Sequence, residues 1–204
     1  LLWADFEPWA KDLYRQSVNL LEISSQLTLT SDPHSWLDPI LVGEQVELIR
    51  EELKEIDPKH GADFDQRAEV FLSELKKLDE DFRLGLKSCA LKDALVSHDA
   101  FSYLGKRYGI TFHSISGLSP QAEASSKHLA ELADLARGKA IKHVFFETLI
   151  SPKLAETIAR EIDATALVLN PLEGLSREEQ DAGETYLSLM RKNLDQLKLA
   201  LQCI

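Results

Sequence analysis

Apolar residues recur along this chain at two different periods, and the change between them divides it. In the first part the period is helical: Phe6, Trp9, Ala10 and Leu13 within 6–20, then Ile40, Leu41, Val46, Leu48, Ile49 and Leu53 within 39–56. Residues 1–4 read as the end of a buried strand, and the alternation over 21–30 predicts another. Asp38-Pro39 and Asp57-Pro58 each read as a helix cap followed by proline at the first helical position, where no amide donor is needed. Phe64, Ala68, Phe71, Leu75, Leu78 and Phe82 then recur at intervals of four and three. That spacing predicts one helix of about 28 residues, roughly 42 Å long at 1.5 Å per residue. A single small lobe does not need such a length, so the segment reads as a spine between two lobes rather than a coiled-coil arm.

After Cys89 the pattern becomes strand followed by helix, repeated. Strands are expected at 93–97, 110–116, 143–147 and 165–169. The intervening helices run over 100–108 (ended by Gly109), from Ser119-Pro120 to near Gly138, and from Ser151-Pro152 through Glu161. Ser176 with Glu179 forms a capping box ahead of a final helix reaching Leu201. The fold class is therefore α/β: two βα lobes with parallel sheets joined by a long rigid helix, the first lobe incomplete. The domains are expected at 1–57 (remainder of the N-terminal lobe), 58–88 (linking helix) and 89–204 (C-terminal lobe).

Composition narrows the function classes. The 44% apolar and 28% charged content over 204 residues is that of a globular protein, and the net charge of −11 argues against nucleic acid or an anionic membrane as partner. No apolar run approaches the roughly 20 residues that span a bilayer, so direct membrane insertion is not expected. The chain opens without methionine and reads as a mature or truncated piece. Spacing leaves Cys89 and Cys203 open as a disulfide or as two thiols.

Ligands of open parallel sheets bind beyond the carboxyl ends of the strands. His98 falls just past the first strand, Ser116 ends the second, Glu147 ends the third, and Glu173 lies in the turn after the fourth. His34 sits in a turn punctuated by Pro33 and Pro39, in the other lobe, from which it would reach across a cleft. Two imidazoles and a carboxylate (His34, His98 and Glu173) suit zinc and tolerate manganese or iron. Asp99 precedes a helix and reads as its cap more readily than as a ligand. Glu147 is either an acceptor that orients an imidazole or simply a strand-end residue. His113 lies within a strand and reads as a hydrogen-bonded histidine of the core or its edge, while His60, His128 and His143 are assigned no role.

Five segments in series carry a family likeness: Asp32-Pro33-His34-Ser35-Trp36-Leu37-Asp38-Pro39, Ser97-His98-Asp99-Ala100-Phe101, Gly117-Leu118-Ser119-Pro120-Gln121, Phe145-Phe146-Glu147-Thr148-Leu149 and Asn170-Pro171-Leu172-Glu173-Gly174-Leu175. In this order and at these gaps they resemble the zinc-type solute-binding proteins of bacterial ABC metal importers, the ZnuA/TroA-like family. The resemblance implies two βα lobes on a long helix, with metal bound between them by His34, His98 and Glu173; the strand-end positions make Glu147, Asp99 and Ser116 the candidates for the surrounding shell. It implies Zn²⁺ as cargo, with manganese or iron as the alternative, and a membrane ABC permease as partner. Expected too are a monomer, no catalysis, and a location that is periplasmic or lipid-anchored on the outer side of the cytoplasmic membrane. Family members carry a further histidine ligand upstream of where this chain begins, and often a histidine-rich loop where Leu27-Thr28-Leu29-Thr30-Ser31 stands here. Two other functions are compatible with these residues: a metal-binding surface adhesin, and a zinc hydrolase with Glu147 as general base, although the sequence offers no local His-Glu-x-x-His pair.

Overall fold

A computed structural model describes residues 21–27, 29, 31–118, 125–149 and 153–204. The strand and helix expected within 1–20, and the helix starts at Ser119-Pro120 and Ser151-Pro152, lie outside the described residues. The chain divides into two compact units, one ending at Lys77 and the other Leu78–Ile204.

In the first unit, the strand expected over 21–30 is replaced at its centre by a helical turn, α1 (Ile23–Gln26). The reason is local: Ser25 Oγ donates to the Glu22 carbonyl and Ser24 Oγ to the Glu22 carboxylate. Serine side chains thus satisfy a turn where a strand would require a partner ladder. A 3₁₀ turn over Ser35–Leu37 leads into α2 (Pro39–Ile56), capped as the Asp38-Pro39 signal predicts: the Asp38 carboxylate accepts from the Ile40 amide at 2.9 Å. After Pro58–His60, α3 (Gly61–Gly85) runs for 25 residues and carries the unit boundary within it. Lys54 Nζ and Asp65 Oδ1, 2.9 Å apart, pair α2 with α3. Val46 and Leu53 of α2 and Phe64 and Phe71 of α3 line a shallow cavity of about 230 Å³. Ile49 (43% exposed) and Leu53 (39%) of the expected buried stripe are therefore only partly covered.

The second unit is the parallel α/β structure that the strand–helix alternation predicts. Strands β1 (Asp93–Val96), β2 (Thr111–Ser114), β3 (His143–Phe146) and β4 (Thr165–Val168) form one parallel sheet in the order β2-β1-β3-β4. Leu95 of β1 and Val144 of β3 pair in register and point into a core closed by α5 (Ser126–Gly138) and α6 (Lys153–Glu161), whose Leu132, Ala136 and Ile158 are buried against them together with Ile162 just past α6. Ala94, Val96 and Phe145 alternate to the other face and are buried as well, so the sheet is covered on both sides. Between β1 and β2, α4 (Ser102–Tyr108) ends at Gly109, whose φ of 71° is the left-handed cap that glycine adopts without steric cost. α4 also lies so close to the chain entering β2 that a Cβ on Gly105 would meet the Ile110 carbonyl at 2.5 Å.

The single final helix expected from the capping box at Ser176 is two. That box caps only α7 (Arg177–Asp181). Gly183, at φ 69°, turns the chain, and a second box at Thr185 and Ser188 starts α8 (Tyr186–Ala200). Cys89 and Cys203 are joined by a disulfide that spans 114 residues of sequence. No helix among the described residues is long and apolar enough to cross a membrane.

Candidate metal centre

In a sheet ordered β2-β1-β3-β4, the chain leaves β1 toward one side and β3 toward the other, which opens a crevice at their carboxyl ends. His98 and Glu147 stand on the two lips of that crevice, just beyond β1 and β3. His98 is fully buried, and its Nδ1 lies 2.6 Å from Glu147 Oε1, itself 3% exposed. Its other nitrogen, Nε2, lies 3.3 Å from Glu173 Oε1. Burial opposes charge on this imidazole, but hydrogen bonds to Glu147 and Glu173 and their negative charges outweigh it, raising the pKa to about 9. The two carboxylates thus favour the protonated form of the ring. With the Nδ1 proton retained by Glu147, Nε2 and the Glu173 oxygen form a nitrogen–oxygen pair suited to a borderline divalent ion. Glu147, open in sequence between two roles, is the acceptor on His98.

The expected cap at Asp99 is not one. The N-cap position of α4 is Phe101, because the chain makes a tight turn first: the Ala100 amide donates to the His98 carbonyl (3.0 Å) and the Asp99 amide to the Gly117 carbonyl (3.1 Å). Those bonds fix the His98 loop against the exit of β2. Ser116 is buried at that exit and donates its amide to the Ser97 carbonyl at 2.9 Å.

Glu173 is placed by residues that carry no chemistry of their own. Asn170 is buried after β4; its amide donates to Asn193 Oδ1 (2.8 Å), and Asn193 Nδ2 donates back to the Asn170 carbonyl (2.7 Å). The Asn170 side chain accepts from the Leu172 amide and donates to Glu179 Oε1, both at 2.8 Å. This network holds Leu172 at φ 57°, a left-handed conformation that costs about 1–3 kcal/mol for such a residue, directly before Glu173. Sequence reading misses both asparagines. The Asn-Pro-Leu-Glu turn signal points to Asn170, but nothing local marks Asn193.

The His34 turn, in the first unit, is built from its own neighbours. Asp32 Oδ1 accepts from the His34 amide (2.9 Å) and lies 2.6 Å from His34 Nδ1. The Ser35 amide donates to the Pro33 carbonyl at 2.8 Å, and Gln45 of α2 donates to Ser35 Oγ at 3.2 Å. His34 is 2% exposed and meets the Trp36 ring edge-on at 5.2 Å. Asp32 is a residue the sequence reading passes over, though an aspartate two positions ahead of a histidine is an Asx-turn signal. Elsewhere, His113 Nε2 pairs with Asp93 Oδ1 at 2.8 Å, as expected of a hydrogen-bonded histidine in a strand, and His60 pairs with Asp57 at 2.6 Å.

A family profile described as "ZnuA: Zinc-uptake complex component A periplasmic" matches residues 3–200. The chain is 40% identical over 170 residues to the high-affinity zinc uptake system protein ZnuA of Bacillus subtilis (strain 168), covering 83% of this chain and 53% of that protein. It therefore spans about half the length of this relative. The laminin binding protein Lmb of Streptococcus agalactiae, described as bifunctional with adhesin and metal transporting activity, superposes with a TM-score of 0.89 at 37% identity, over 97% of this chain and 77% of that one. The Zn(II)-bound ZnuA-like domain of Streptococcus pneumoniae AdcA superposes at 0.83 with 35% identity, over the same shares. The sheet, the succession of motifs and these likenesses together place the chain in the ZnuA family of zinc-uptake proteins.

Proposed function

We propose that this protein captures Zn²⁺ outside the cytoplasmic membrane, as a periplasmic or lipid-anchored protein, and delivers it to a membrane ABC permease. Capture is binding without catalysis, and manganese or iron remains the alternative cargo. In this reading residues 1–57 and 89–204 are the lobes, 58–88 is the helix linking them, and the protein acts as a monomer. His34 and His98 supply nitrogen ligands and Glu173 an oxygen, which leaves one further position of a four-coordinate zinc for another ligand or water. Glu147 orients His98, while Asp99 and Ser116 support its loop.

The observation that carries this reading is the His98 environment: a wholly buried imidazole held at Nδ1 by Glu147, with Nε2 directed at Glu173. A buried histidine with a carboxylate on each nitrogen is hard to explain as packing, because an apolar residue would fill the space without desolvating charge. The Cys89–Cys203 disulfide supports an oxidising compartment.

Elemental analysis and zinc titration of the full-length protein test the proposal. One equivalent of zinc is expected, and His34→Ala, His98→Ala and Glu173→Ala should each weaken binding by at least the roughly 10–100-fold typical of losses in the surrounding shell. Unchanged affinity in His98→Ala would remove the assignment. A second reading, a metal-binding surface adhesin, is favoured by the resemblance to Lmb. Saturable binding to laminin that survives chelation would support it.

A further inference from the structure

We propose that Asp32 is a positioning residue for metal capture, fixing the tautomer and direction of the His34 ring. The inference rests on the reading that His34 is a ligand, and it adds a residue outside the proposed ligand set. A neutral imidazole in water prefers its proton on Nε2, which would turn a protonated nitrogen toward a metal. Here one carboxylate oxygen, Asp32 Oδ1, lies 2.6 Å from Nδ1 and also accepts the His34 backbone amide at 2.9 Å. The amide bond ties the carboxylate to the same residue whose ring it holds. An acceptor at Nδ1 puts the proton there and leaves the Nε2 lone pair as the metal-facing donor.

The Trp36 ring limits rotation of the imidazole, with ring centroids 5.2 Å apart and planes at 60°. Burial of both partners keeps water from competing: the His34 side chain is 3% exposed and the Asp32 side chain 10%. A carboxylate spent only on capping a turn would not need the ring. Conversely, a histidine held only for packing would not need a charged acceptor.

The test compares Asp32→Ala, Asp32→Asn and His34→Ala in the full-length protein. Zinc affinity is read by competition with a chromophoric chelator, ring tautomers by long-range proton–nitrogen correlation in the metal-free protein at a pH where the imidazole is neutral, and the coordinating nitrogen in the zinc-loaded state. Asp32→Ala should lose about 10–100-fold in affinity together with the Nδ1–H signature of His34. In Asp32→Asn the amide oxygen still accepts from both nitrogens, so the signature stays and the loss should be under about 10-fold. Wild-type affinity in Asp32→Ala alongside a weakened His34→Ala overturns the role of Asp32. Should Asp32→Ala not fold, Asp32→Asn decides: an Nε2–H tautomer, or coordination through Nδ1, overturns it. If His34→Ala binds zinc normally, the ligand assignment itself fails and the role of Asp32 falls with it.

Discussion

The turns around His34 and His98 reach the same local chemistry by opposite routes. In each, a carboxylate oxygen lies 2.6 Å from Nδ1 of a histidine that is 2% exposed or less. For His34 the carboxylate is two residues away and is tied to the histidine's own amide. For His98 it is 49 residues away, just past the neighbouring strand, and the two meet only when β1 and β3 pair with Leu95 beside Val144. The first arrangement depends on a turn; the second depends on a sheet. A local pair is as robust as its few backbone bonds, whereas a long-range pair inherits the cooperativity of the core beneath it.

That contrast can be broken most severely from below. Phe145, 1% exposed in β3, precedes Glu147 by two residues, and Phe145→Ala should cost about 3–5 kcal/mol in urea denaturation. The His98–Glu147 pair should loosen while the His34 ring keeps its Nδ1–H signal; loss of both signals together would show that the turn at His34 is not self-sufficient.

Next in size is the effect of pH on the metal-free protein. Because folding raises the His98 pKa from the ordinary 6.5 to about 9, its contribution is fully present below pH 6.5 and is lost as pH rises through 9. The loss is on the order of 3 kcal/mol at 1.36 kcal/mol per pH unit. Chemical denaturation between pH 6 and 10 should show it, and His98→Gln should flatten the slope.

Reduction of Cys89–Cys203 frees a loop of 114 residues that contains the whole sheet. It should destabilise the second unit by about 2–4 kcal/mol, measured by denaturation with and without reductant, and leave the Asp32–His34 pair alone. The smallest effect belongs to the local turn: Asp38→Ala, removing the cap of α2 next to it, should cost about 1 kcal/mol. A much larger loss would mean that the first unit depends on that turn more than its few bonds suggest.

Particular residues explain why some of this was legible. His98 and Glu173 stand out because strand-end positions in a parallel sheet are where ligands bind, and counting strands locates those ends. His34 stands out because prolines punctuate its turn. The same local reasoning fails where a short pattern admits two answers. Alternation over 21–30 suggested a strand, but serine side chains at 24 and 25 close a helical turn instead. The capping box at Ser176 follows the familiar pattern with an acid at its third helical position; the one at Thr185 has Ser188 in place of an acid, so the sequence pattern merges two helices into one.

By itself the sequence determined the strand–helix alternation, the Asp38 cap, the glycine end of α4 and the order of the motifs, because each depends on contacts within a few residues. Only the tertiary structure decided that Glu147 meets His98, that Asn193 reaches back to Asn170 to set the turn before Glu173, and that Cys89 pairs with Cys203. Those pairings join residues 23 to 114 positions apart, and which of the available partners meet is set by strand order and helix packing, quantities that no short stretch of chain encodes.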